Sequence, residues 1–319
     1  MRRLPVLSIV MVLAFSRVAP AQIADKPTKG PRLDTERVET WEVGMVVTAA
    51  SGPCAGIEGT VALPVDWPEQ QVSVIAEDYS PFVASHTERM VGTVKQLVLT
   101  IPELPASEEA RAVLTVEIHR RSLLPPADPG IFVKTPSKKL PKDIRPYLGP
   151  SPRIESQNGK FKALAKELAK KSADRTAWEQ VETIYQWVRE NVKHEDVESQ
   201  GAVRALKART AEHQDLTRIF IALCRASEVP ARTVWIPKFC YPEFYLEDSD
   251  GEGYWFPCQM VGEAVFGGMP DHRPILQKGD NFRPPNRPRE VVWFLLSTLD
   301  GKGGNPQVKF ILDPQVGSK

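Results

Sequence analysis

His213 and Asp215 stand two residues apart at the start of a stretch whose apolar spacing predicts a helix. A side chain there faces the positive end of the helix dipole, which disfavours imidazolium, so His213 is expected to be neutral. Three readings stay open for it: a ligand contact, an unusual general base working with Asp215 or Glu243, or a polar residue filling a vacated pocket. Thr210, just upstream, reads as a helix-cap residue rather than a nucleophile. The thiols are Cys54, Cys224, Cys240 and Cys258. Cys224 falls about three turns into the same helix and reads as a buried core thiol. The remaining histidines, His86, His119, His194 and His272, show no paired ligand spacing, so no metal is expected, and no cofactor is implied.

These residues need elements to hold them. Phe161, Leu164, Ala165 and Leu168 share one helical face. Trp178, Val181, Ile184, Tyr185 and Val188 form a second stripe, and Leu216, Ile219, Phe220 and Leu223 a third. The third helix starts near Glu212 and must end before Val229-Pro230, because proline disfavours helix at the preceding residue. Strands follow at Thr233 to Ile236, Phe239 to Glu247, Tyr254 to Met260, Val291 to Leu296 and Val308 to Leu312. The polar run Asp248 to Gly253 reads as the turn of a hairpin. Helices followed by an antiparallel sheet predict an α+β domain over 154–319.

Upstream, residues 38–123 alternate and turn often, as in Ala112 to His119, and predict a small β-sandwich. Residues 124–153 carry eight prolines, from Pro125 to Pro152, and read as a semi-rigid linker or strap. Residues 22–37 are polar and read as a flexible lead. Arg2, Arg3, the apolar run Leu4 to Phe15 and Ala19-Pro20-Ala21 have the form of a secretory signal over 1–21, cleaved near Ala21. Export to the periplasm, envelope or exterior follows, with no membrane span in the mature chain. Lys plus Arg is 41 and Asp plus Glu is 40, which gives no electrostatic case for nucleic acid as a partner.

Tyr185 to Asn191, the run Leu223-Cys224-Arg225 ending in Val229-Pro230-Ala231-Arg232, Glu243-Phe244-Tyr245-Leu246 and Tyr254-Trp255-Phe256-Pro257 occur in an order and spacing that resembles the transglutaminase-like superfamily, the relatives of papain-type cysteine enzymes. The resemblance covers roughly 150–319 and implies a transglutaminase-like (papain-like) fold. It also implies a catalytic cysteine at the start of the central helix, a histidine on the following strand and an aspartate on the next. Here those positions hold His213, Phe239 and Gln259. Phenylalanine cannot transfer a proton. No cysteine lies between Cys54 and Cys224, so a small register shift does not restore the nucleophile.

A hairpin register in which paired residue numbers sum to 498 sets Phe239 opposite Gln259 and Cys240 opposite Cys258. In an exported protein such cysteines are a candidate disulfide. Tyr241 and Glu243 share the Phe239 face and, with Asp215, are candidate groove residues bordered by Trp187 and Trp255, although core packing is the plainer reading of both tryptophans. Arg225 and Arg232 are expected to tie down structure. The expected function is that of a catalytically inactive homologue binding a peptide, protein or cell-envelope component. The alternatives are an amide-processing enzyme (peptidase, amidase or transglutaminase-like) using non-standard residues in the same cleft, and an envelope scaffold.

Overall fold

The computed structural model describes residues 29–315, so the signal sequence, its cleavage site and residues 22–28 of the lead lie outside the described residues. Six strands come first: β1 (Arg32–Thr48), β2 (Cys54–Leu63), β3 (Gln70–Tyr79), β4 (Ser85–Val91), β5 (Val94–Leu104) and β6 (Glu109–Leu124). Alternate residues point inward, as the period of two requires: Val43, Met45 and Val47 of β1 and Ala112, Leu114 and Val116 of β6 meet in one core. Residues 32–37, expected in the flexible lead, are instead the first part of β1, with Glu36 opposite Arg121. Their polarity marks an exposed strand face, not a mobile segment.

The proline-rich stretch is a strap whose apolar residues are buried. Phe132 enters the helical core, and Leu140, Ile144 and Tyr147 are also covered. Helices α1 (Gly159–Lys171) and α2 (Ala177–Asn191) follow, α2 opened by a reciprocal Thr176–Glu179 capping box. Then come β7 (Lys193–His194), α3 (Ala202–Ala208), β8 (Thr210–Ala211) and α4 (His213–Ala226). α4 is the central helix, with every residue from Asp215 to Arg225 buried. Its buried charges are matched. Arg225 meets both oxygens of Asp280 at 2.8 and 2.9 Å and donates to Ala231 O, which ties the helix end to the sheet.

Strands β9 (Ala231–Ile236), β10 (Phe239–Glu247), β11 (Gly253–Gln259), β12 (Val265–Phe266) and β13 (Gln277–Lys278) form the second sheet, ordered β12-β11-β10-β9-β13. The β10–β11 pairing runs from Glu247↔Gly253 to Glu243↔Pro257, so the paired numbers sum to 500. Asp248 explains the wider loop: its Oδ1 accepts from the Asp250 and Glu252 amides and organises five residues between the strands. The shift is two residues. Cys240 therefore does not face Cys258, and all four cysteines are free and buried. The expected disulfide is absent.

Val291 to Leu296 is not a strand and contributes one bridge, Val292 to Phe282. Its backbone needs are met otherwise: the Gln277 amide both accepts from Leu295 N and donates to Leu295 O. The last strands, β14 (Thr298–Gly303) and β15 (Gln307–Pro314), return to the sandwich. β14 pairs with β2 and β15 with β1, giving sheets ordered β15-β1-β6-β3 and β14-β2-β5-β4. The expected C-terminal domain of 154–319 thus ends before β14, because the edges of β1 and β2 are open until these strands fill them.

Candidate functional site

His213 is the first residue of α4, behind Glu212 as N-cap. The Glu212 carboxylate accepts from Asp215 N at 3.1 Å and lies 2.9 Å from His213 Nδ1. Burial alone would raise the Glu212 carboxyl, but hydrogen bonds from His213 and the Gln214 amide outweigh it and hold the group below the ordinary range. Phe239 opens β10 and stacks on His213, with ring centroids 4.7 Å apart and planes 15° apart. On Phe239 also bears the Arg273 guanidinium, 5.2 Å from the ring centre. A flat hydrocarbon ring therefore covers the imidazole.

Asp215 does not line a groove. It is 1% exposed, and its carboxylate accepts from the Gln200 and Gly201 amides, Ser199 Oγ and Arg218 Nη1. It fastens the segment before α3 to the central helix. Gln259 is not brought to His213. Its carbonyl accepts from Tyr185 and Arg189, and its Nε2 lies beside Gly262. Trp187 sits on α2 under the Arg209 guanidinium, 4.8 Å from it. Tyr241 is fully buried beneath the sandwich, where its hydroxyl accepts from Arg120 of β6 at 3.3 Å. Neither Asp215 nor Tyr241 is a groove residue, because each is spent on packing one element against another.

Glu243 and Trp255 lie elsewhere. Four residues along β10 from Phe239, about 13 Å at strand rise, they line a cavity of about 840 Å³ between sandwich and sheet. Its base is a chain of alternating charge. Glu243 bonds Arg232 at 2.9 Å through one oxygen and Lys278 at 2.8 Å through the other, and Lys278 reaches Glu69 at 2.7 Å. Burial would raise the Glu243 carboxyl, yet the Lys278 and Arg232 charges overcome it and keep it below the usual glutamate range. Arg232 stands 4.0 Å over Trp255, and Lys278 stands 4.9 Å over Trp67. Trp67, Glu69, Tyr254 and Lys278 have no mark in the sequence, since they meet only when four distant segments fold together.

No group of three or more potential metal ligands occurs among the described residues, and no helix there is long and apolar enough to cross a membrane. Residues 162–260 match the family model of the transglutaminase-like superfamily and form a domain of that superfamily. The chain is similar to a proposed cysteine protease from Cytophaga hutchinsonii, at 17% identity and a TM-score of 0.53, covering 87% of this chain and 92% of that one. It also aligns with the periplasmic domain of TgpA from Pseudomonas aeruginosa, at 11% identity and a TM-score of 0.34, over 68% of this chain and 87% of that one. The first likeness is one of fold. No curated protein matches the sequence.

Proposed function

We propose that the protein is an exported, catalytically inactive transglutaminase-like protein that binds a peptide or cell-envelope component. The observation that carries this reading is the Phe239 ring stacked on His213 at the start of α4. Acyl transfer through a thiol needs a thiolate beside a proton acceptor. Here the helix start offers an imidazole without a thiol, and its neighbour across the cleft offers no proton acceptor. The substitutes that the sequence suggests are occupied: Asp215 by four donors, Glu243 by two cations. Polar residues at Ala19 to Gln22 and the apolar run before them support export.

The test is a panel of peptide amides, dipeptides and glutamine–amine crosslinking pairs, with purified protein and with His213→Ala. No turnover above buffer is expected from either. Turnover that iodoacetamide abolishes, or that His213→Ala removes, overturns the reading.

A further inference from the structure

The cavity between sandwich and sheet is separate from the closed cleft and has the chemistry of a binding site. Its volume, about 840 Å³, lies within the range of small-ligand sites. Three aromatic side chains line it, Trp67 from the sandwich and Tyr254 and Trp255 from the hairpin. The cations over Trp67 and Trp255 fix those rings in place before any ligand arrives, which lowers the cost of binding.

The base of the cavity selects against charged ligands. Arg232 and Lys278 are matched by Glu243 and Glu69, and both Glu243 oxygens are taken. A phosphate or carboxylate would have to pull a cation from a buried partner and strand it. A peptide backbone finds no ladder there either, because Glu243 is already paired with Arg232 of β9 on one side and Pro257 of β11 on the other. One donor does wait for a partner: the buried Trp67 Nε1–H makes no hydrogen bond among the described residues. The matching ligand is neutral, has apolar faces for the rings and carries hydrogen-bond acceptors around its edge.

We infer that this cavity binds a neutral saccharide of one or a few rings, its C–H faces against the aromatic side chains and a ring or hydroxyl oxygen on the Trp67 N–H. This rests on the binding role proposed above and moves that role out of the old cleft. It involves no bond making or breaking.

Calorimetric titration of the full chain with glucose, N-acetylglucosamine, cellobiose and chitobiose tests it, at concentrations of about 10 mM, where a millimolar site is nearly full. At least one sugar binds saturably. Trp67→Phe keeps the ring, loses the donor and weakens binding about three- to tenfold. Tyr254→Ala weakens it by about tenfold, the loss of one stacking wall. Both variants retain the parent melting temperature, so a lost fold is distinguished from a lost contact. Failure of all four sugars to bind overturns the inference. So does binding unaffected by both substitutions, or a tetra-alanine peptide that binds where the sugars do not. A flat titration leaves catalytic inactivity standing, while thiol-dependent turnover would sink inactivity and leave this site intact.

Discussion

A thiol reacts as its thiolate, so the reactivity of Cys54, Cys224, Cys240 and Cys258 in the native protein follows from their surroundings. All four are buried. Burial pushes the Cys240 thiol up to about 12, raises Cys224 and drives Cys258 well above the ordinary value. Ellman's reagent should therefore titrate none of them in the native protein at neutral pH and four in denaturant without reductant. Two in denaturant, rising to four on reduction, would restore the disulfide. At this scale the sequence was informative where a residue type is decisive: no cysteine can be brought to the start of α4 by a small shift. It was silent where a contact is decisive. The stack of Phe239 on His213 joins a helix start to a strand start across 26 positions, and hydrophobic periodicity carries no record of such a meeting.

Elements were more legible than contacts, because α4, β10 and β11 each carry a period. What periodicity cannot supply is the width of a loop. Asp248 turns an apparently tight connection into a five-residue one and moves the hairpin register by two. Because two is the side-chain period of a strand, the faces survive the slip while every facing pair changes. The extended run at Val291 to Leu296 misleads for a related reason, since a side-chain amide meets the backbone needs of Leu295 that a neighbouring strand would have met. Element ends are held by charge. Arg225 and Asp280, both side chains fully buried, join α4 to the sheet, and Asp280 also accepts from Thr233 N and Ser151 Oγ. Arg225→Met leaves that carboxylate buried without its cation and is expected to cost about 3–5 kcal/mol. Urea unfolding of the two proteins measures it. A loss under about 1 kcal/mol would mean that the network is not structural in the way proposed.

The whole molecule does not divide where its composition changes. The proline-rich strap looks like a boundary, yet its Phe132 enters the helical core, and β14 and β15 cross back to complete both sheets of the sandwich. Arg120 to Tyr241 and Lys278 to Glu69 and Glu243 then bind sandwich and sheet through buried polar contacts. The consequence is a specific dependence on pH. Glu243 is held below the ordinary glutamate pKa of about 4.3, so unfolding lets it take up a proton more readily than folding does. The stability this gives is complete above that ordinary value and is lost as pH falls through the lower folded one. Urea midpoints should accordingly stay level from neutral pH to about pH 5 and drop below it. Glu243→Gln removes the titrating group. That variant starts less stable at pH 7, because Lys278 and Arg232 lose a shared anion, but it loses less than the parent on acidification. An equally steep fall in both proteins would assign the acid sensitivity to other carboxylates, of which Asp271, held down by Arg273 against its own burial, is the next to test.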